Sequence, residues 1–522
     1  MEGGNPTRGR IRHSSFVIRH SKSLTDRPHR LKYRLVSPAT VPVIMTSRSR
    51  EKGIMASTRP YQRLLYGVGS VGVALSYQAF STYIQFLYID TLGVRAAWIG
   101  VVWAIYGIWN SINDPLSGYL SDRTRTRWGR RLPWMYGALL PLVITFYLLW
   151  FPFQSTDWSE FATLFYFLAI VLLFDLFWTV FVMNWTSLFP EMVSSEKDRA
   201  GLSALRESFS IIGLLIGVAL PPLIAGADWS NRGQMAWLLT IVTLISLLLT
   251  LLGSKERTEF AAEPSPPFRE SLRLTMGNRD FLFFLAANLM IQYVFLGLSA
   301  AIPFYAKYVL MIQGPTQLGG VTLDADMQNS LLLAAAFLTA LPAMVLWLKL
   351  SQRFGVWQTL RAASLVGAVI AIYFFFPTTF AGGLVGTILF GVVLAALLAL
   401  TNPLIADITD ADEVAHGARR EGMFFGMNGL VIRFAFVIQG ILTAIIFSLT
   451  GYVSPSAGVL NPVQPASALF GMRMLTGGTT SLALLAAFLL LGGYSLHGRR
   501  AEQIRAEAAA MQEQKKQGMG EN

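Results

Sequence analysis

No cysteine occurs anywhere in the 522 residues, which excludes disulfides, thiol catalysis and thiolate metal sites. Histidine is almost as scarce. His13, His20, His29, His416 and His497 are the five present, and all lie outside the long apolar runs, so no imidazole is expected to relay protons or bind metal within them. Charge is thin as well: charged residues make up 14% of the chain and hydrophobic ones 53%, where soluble domains carry about 25% charged residues. Water alone would not hold such a chain. HExxH and nucleotide-binding P-loop motifs are also missing, which argues against a metallopeptidase and against ATP-driven pumping. No polar filter ring of the channel type is visible, and the chain does not read as an enzyme.

What is abundant is apolar sequence in long stretches. About 20 mostly apolar residues in a helix cross the ~30 Å hydrocarbon core of a bilayer. Twelve such runs lie near 64–89, 96–120, 132–151, 160–189, 200–225, 235–253, 281–311, 327–348, 360–376, 383–406, 423–450 and 474–497. They are continuously apolar and do not alternate as membrane strands do, so each is expected to satisfy its own backbone as a helix. The expected fold is an all-α membrane protein with 12 transmembrane helices in two six-helix halves. The expected organisation is a basic extension over 1–60, an amino-terminal half over 61–253, a polar central loop over 254–280, a carboxy-terminal half over 281–497 and a tail over 498–522. Arg and Gly rich turns after the second and eighth spans, Arg127–Arg131 and Arg353–Gly355, are a weak echo between the halves, as is an acid followed by Arg after the fourth and tenth spans (Glu191 and Arg199; Asp407 and Arg420). Repeats about an axis along the membrane normal are a known transporter design.

Positive charge is unevenly placed. With the amino terminus inside, the inner loops and tail after residue 60 hold 22 Lys and Arg and the outer loops hold three, Arg95, Arg232 and Arg473, which sets both termini on the cytoplasmic side. Arg63 and Lys307 sit near span ends and could snorkel, whereas Arg206 and Arg433 lie deeper. Residues 1–60 carry 13 Lys or Arg against three acids, so +10 of the net +12 belongs to this segment. It reads as a disordered extension or an over-long start with Met45 or Met55 as alternatives, or else as a targeting peptide or anionic-lipid anchor. No folded basic module accompanies it, so a nucleic-acid partner is not expected.

The most informative stretch is NDPLSGYLSDRTRTRWGRRLPW, Asn113 to Trp134. Asp114 lies inside the second span, where a carboxylate costs about 2.5–3.5 kcal/mol on insertion scales. Trp103, Tyr106, Gly107, Asn110 and Asp114 recur at helical spacing on one face, which would line a cavity with oxygen, amide and aromatic groups. This stretch, together with PEMVSSEKDRAGLSALRESF from Pro190 to Phe209 and ADITDADEVAHGARREGMFFG from Ala406 to Gly426, resembles the major facilitator superfamily. More narrowly, it resembles the glycoside, pentoside and hexuronide to cation symporters, over about Tyr66 to Leu496.

The resemblance implies a cation site for Na+, Li+ or H+ at Asn110, Asn113, Asp114 and Thr179, although Asn110 stands where the family carries a carboxylate. Asp175 lies one turn from Thr179 and near the depth of Asn110. It is expected either to supply the missing acid or to do no more than hydrogen-bond between helices. The family's sugar-gripping acids correspond to Ala74 and Val182, and its stacking tryptophan to Leu398, so a galactoside pocket is not preserved. Arg206 matches a fifth-helix arginine near the substrate and Arg433 an eleventh-helix lysine near the cation acid; interhelical pairing without a transport role is the alternative for both. Tyr77, Tyr83, Trp103, Tyr106 and Trp185 are candidates to stack on a sugar ring, or else pack within the bundle. Gly118, Asp122, Arg123, Glu191 and Arg199 are expected to form an inner gate, with Gly118 permitting close helix approach and the charges pairing with one another and with Arg206; a merely solvated cluster would satisfy the same charge rule.

The expected function is secondary active symport of a sugar or glycoside, coupled to H+ or Na+, by alternating access in the cytoplasmic membrane. Lysolipid or other small-solute carriage, or a non-transporting sensor on the same scaffold, are the alternatives. The expected partners are a small-molecule substrate and the lipid bilayer, with a monomeric chain and no cofactor beyond the coupling cation.

Overall fold

A computed structural model describes residues 59–520, apart from 152, 154–157, 194–195, 227, 257–272, 274, 418–420, 456–458 and 460, and apart from the side chains of 122, 190–191, 196–197, 200, 421–422, 512–513 and 515–520. The basic segment over 1–60, with the roles expected of it, thus falls outside the described residues but for its last two, as do most of the central loop and Arg420. Thirteen helices account for nearly all the rest: α1 (Pro60–Phe86), α2 (Ala96–Arg123), α3 (Leu132–Leu149), α4 (Glu160–Met192), α5 (Glu196–Ala225), α6 (Arg232–Gly253), α7 (Arg279–Phe304), α8 (Ala325–Phe354), α9 (Val356–Ile372), α10 (Phe380–His416), α11 (Glu421–Thr450), α12 (Ala466–Leu491) and α13 (Arg499–Gly520). One hairpin amends the all-helical expectation. Thr316–Leu318 pairs antiparallel with Val321–Leu323 through Gly319 and Gly320, both at positive φ, as a two-residue turn of this hand requires.

Ten of the helices, α3 to α12, are long and apolar enough to cross a membrane by length and composition. α1 and α2 are not among them although 27 and 28 residues give helices of about 40 Å. Their spans are diluted by Ser70, Ser76, Gln78, Thr82 and Gln85 on α1 and by Asn110, Asn113, Asp114 and Ser117 on α2. Except for Asp114 these groups are buried, facing other helices where hydrogen bonds replace water. α1 to α6 pack chiefly among themselves and α7 to α12 likewise, and α2 with α11, α5 with α8 and α1 with α7 join the two sets.

α1 is wedged between α5 and α6. Gly213 and Gly217 of α5 lie on its backbone: a Cβ at Gly217 would stand 2.8 Å from the Leu75 carbonyl oxygen, and one at Gly213 would collide with that of Val71. Small residues let membrane helices approach this closely. Gly213→Val should therefore force α5 off α1 and destabilise the bundle by about 1–3 kcal/mol, read as a lower melting temperature in detergent; an unchanged melting curve would refute the close approach.

The end of the bundle bearing the Arg-rich turn is tied by acids. Glu256 accepts from the amides of Arg130, Arg131 and Leu132 at 2.8, 3.0 and 3.4 Å, capping the exposed donors of α3 where negative charge is favourable. The tail is helical as α13, and Arg505 docks it on α10 through two bonds to Asp407 at 2.6 and 2.7 Å. That hydrogen-bonded pairing raises the Arg505 guanidinium above its ordinary value. At the opposite end, Lys307 does not snorkel: it donates to buried Asp90 at 2.5 Å.

Candidate functional site

Two glycine contacts set the site. On α2, Gly107 lies against Val437 of α11, and on α11, Gly440 lies against the Trp103 indole, leaving no room for a Cβ at either glycine. Gly440 and Arg433 are two helical turns apart and share a face. The antiparallel seating of α11 on α2 therefore delivers the Arg433 guanidinium to Asn110 and Asp114. Arg433 Nη1 donates to Asn110 Oδ1 at 2.6 Å and to Thr179 Oγ1 of α4 at 3.3 Å, and it forms an ion pair with Asp114.

Asp175 of α4 completes the cluster. It is 5% exposed and accepts from the Tyr106 hydroxyl at 2.9 Å and from Asn113 Nδ2 at 3.0 Å. Among the described residues it makes no ion pair. Ser117 donates to Asn113 Oδ1 at 3.1 Å, which turns the Asn113 amide donor toward Asp175. Asp175 thus makes the interhelical bonds of one expected reading while lying beside the residues of the other. Among the described residues, Asn110 Nδ2 is buried with no hydrogen-bond acceptor within reach. Two carboxyl groups face one guanidinium, and a guanidinium keeps its charge at any accessible pH. With both acids ionised the cluster holds one negative charge too many for a low-dielectric site, and a bound monovalent cation or a proton would balance it.

Next to the cluster lies a cavity of about 500 Å³ lined by residues of α1, α4 and α5, with Phe295 of α7. Tyr77, Trp185 and Arg206 are on its wall, and so are Ala74 and Val182, the positions where the resemblance places sugar-gripping acids. The Arg206 guanidinium lies over the Trp185 ring at 4.2 Å, with Phe189 at 5.4 Å and Tyr66 at 5.8 Å. Among the described residues it makes no ion pair, and its Nε is buried without an acceptor. Tyr77 packs at a tilt of 34° against Trp178, ring centroids 5.2 Å apart. Thr186, Ser203 and Glu207 of the wall are exposed, and all lie toward the end of the bundle that carries the Arg-rich turn.

Other expected residues are elsewhere. Trp103 is fully buried against Phe436, and Tyr106 against Trp103 while it donates to Asp175; neither lines the cavity. Tyr83 donates to the Val218 carbonyl oxygen, and Leu398 is 39% exposed. Sequence reasoning passed over Gln78, Trp178, Glu207 and the wall serines. Trp178 and Glu207 adjoin Thr179 and Arg206 in the chain, which was the one available signal.

Of the residues expected to form an inner gate, Gly118, Arg123 and Arg199 make other contacts. A Cβ at Gly118 would meet only Met183 Cε at 3.5 Å, an ordinary contact, so Gly118 does not mediate a close helix approach. Arg123 lies over its own helix's Tyr119 at 4.0 Å, and Arg199 Nε donates to the Val193 carbonyl at 3.2 Å. The Asp122 and Glu191 side chains lie outside the described residues. Among the described residues, Arg63 of α1 pairs here with Asp198 of α5, at 2.6 and 3.0 Å; Arg63 is therefore paired and not snorkelling.

Residues 65–498 match the family described as MFS/sugar transport protein. A protein of Synechocystis sp. named an uncharacterized symporter is 27% identical over 521 aligned residues, covering 83% of this chain and 92% of its own. The isoprimeverose transporter of Lactiplantibacillus pentosus is 24% identical, covering 79% of this chain and 84% of its own. Among solved structures, a bacterial homologue of the human lysosomal transporter Spinster, inward-facing and unoccupied, superposes with a TM-score of 0.61 at 13% identity, over 84% of this chain and 98% of that one. At that identity the likeness is one of fold.

Proposed function

Because the chain belongs to the MFS/sugar transport protein family, we propose that it is a secondary active carrier that moves a sugar or glycoside together with H+ or Na+ by alternating access. The observation that carries this reading is Arg433 bound at once to Asn110, Asp114 and Thr179: three helices meet on a charge that a cation at Asp114 would have to displace. Displacement frees Arg433 and with it α11, which sits on α2 beside the solute cavity. Ion occupancy is thereby felt as helix movement.

In this reading Asn110, Asn113, Asp114, Asp175 and Thr179 hold the ion. Arg206, Tyr77 and Trp185 meet the solute, while Trp103 and Tyr106 position α11 and Asp175. Helices α1 to α6 and α7 to α12 act as the two six-helix halves, giving twelve crossings with both termini cytoplasmic, in a monomer of the cytoplasmic membrane. The Arg-rich end then faces the cytoplasm, and the exposed wall residues Thr186, Ser203 and Glu207 give an inward-open cavity. The relatives' names support symport and sugar transport.

Counterflow in proteoliposomes with a panel of mono- and disaccharides, with and without Na+ and over a range of pH, tests the proposal. Cation-stimulated exchange of at least one sugar is expected. Exchange of lysolipids but of no sugar under any ionic condition would overturn it.

A further inference from the structure

At the end of the bundle remote from the Arg-rich turn, α1 and α7 finish in the same way. α1 runs into a π-helical turn, Leu87–Thr91, and α7 into another, Tyr305–Val309. Such turns are rare and concentrate where function has displaced the regular helix. Each carries one half of an ion pair: Asp90 in the first and Lys307 in the second, 2.5 Å apart. Asp90 is 1% exposed. It accepts in addition from the Tyr308 hydroxyl at 2.6 Å and from the Tyr452 hydroxyl, beyond α11, at 2.5 Å.

All three donors come from the set of helices α7 to α12 and the one acceptor from α1. Next to it lies an aromatic plug made by the same elements. Phe86 packs edge-on against Phe304 at 4.9 Å, Phe304 against Phe447 at 4.9 Å, and Phe447 stacks on Tyr452 at 4.5 Å. Beyond the ion pair, a polar cup of about 190 Å³ holds Asp228, Gln313 and Asn461 besides Asp90 and Lys307. Among the described residues, the two sets of helices are thus joined at this end by a buried ion pair, with a polar recess on one side of it.

We propose that Asp90, held by Lys307, Tyr308 and Tyr452, is the latch that keeps the outer end of the carrier closed while the cavity is open to the other side. This rests on the alternating-access reading above. A buried carboxylate with three donors is stable only while all its partners stay, so the contact behaves as closed or open with little between. Parting the halves at this end would let water from the cup reach Asp90 and Lys307, replacing the lost hydrogen bonds and lowering the cost of opening. The Phe86 to Phe447 plug would then separate with it.

The test exploits the absence of cysteine. Ala97→Cys at the start of α2 and Val463→Cys before α12, both exposed, carry spin labels in the otherwise cysteine-free chain, and pulsed dipolar spectroscopy reads their separation in nanodiscs. In the parent, a short-distance population should dominate over a minor longer-distance one. Asp90→Asn combined with Lys307→Gln removes both charges together and leaves no uncompensated ion; a longer-distance population should rise about tenfold relative to the parent. Tyr452→Phe removes one donor only, and should raise that population about two- to threefold. An unchanged distance distribution in the folded double variant overturns the latch. Should the double variant not fold, an unchanged distribution in Tyr452→Phe does so instead. No solute enters the measurement, so a carrier that moves no sugar and a latch that does not exist would be told apart.

Discussion

Replacing Asp114 by Ala is expected to abolish uphill accumulation of solute, reducing it at least about tenfold to simple equilibration, while solute exchange without a gradient persists. The carboxylate is the only negative partner of the Arg433 guanidinium among the described residues; without it the guanidinium keeps the Asn110 carbonyl oxygen and the Thr179 hydroxyl. Removing one member of a dry ion pair costs about 3–5 kcal/mol. Here the two side chains are 18% and 19% exposed, so water recovers part of that and about 2 kcal/mol is the expected loss of stability. The sign of a second substitution separates the two effects. Adding Arg433→Met to Asp114→Ala removes the orphaned charge and should restore the melting temperature, yet accumulation should stay lost, because the acid that exchanges its guanidinium partner for an ion is gone and Asp175 makes no such ion pair among the described residues. Accumulation that survives in Asp114→Ala with no ion requirement would end the coupled-carrier reading.

Replacing Arg206 by Ala is expected to weaken solute binding by about thirtyfold, the equivalent of about 2 kcal/mol for a hydrogen bond to a charged group. The guanidinium lies over the Trp185 ring and makes no ion pair among the described residues, so its hydrogen-bond donors are available to an oxygen-rich solute. The loss should fall on the half-saturation concentration in counterflow and leave the maximal rate and the melting temperature nearly unchanged. Arg206→Lys should recover little, because an ammonium has neither the planar face that stacks on Trp185 nor the forked donors. A large fall in thermal stability with unchanged half-saturation would show instead that Arg206 is a structural brace.

Much of this arrangement was legible along the chain, because what makes a membrane helix is local. Length and apolar content announced the twelve helices α1 to α12, and the amide and carboxylate groups spaced on one face of α2 announced a buried polar surface. Asp175 could be set near Asn110 by counting depth along two spans. It accepts from Tyr106 and Asn113, which flank Asn110 by about a turn on either side. Where reading the chain failed, it failed on pairing. Lys307 and Arg63 at span ends have the pattern of snorkelling residues, and nothing near them in sequence reveals Asp90 or Asp198. Gly118 looks like a packing glycine, but the contacts that bring helices together are at Gly107, Gly213, Gly217 and Gly440. Trp103 and Tyr106 share the polar face of α2, yet α11 covers them.

The sequence by itself determined that the chain lives in a bilayer as helices, which end collects the arginines, and which chemical groups are carried into the apolar region. These follow from the cost of exposing backbone and charge to hydrocarbon, a cost each segment meets on its own. The tertiary structure alone decided which charges meet. Arg433 reaches Asp114 across 319 positions and Lys307 reaches Asp90 across 217, in the first case because α11 seats its glycine on Trp103 and in the second because two helices end in matching π turns. An ion pair depends on the last few ångströms between helices, and that distance is set by the fit of side chains that share no stretch of sequence.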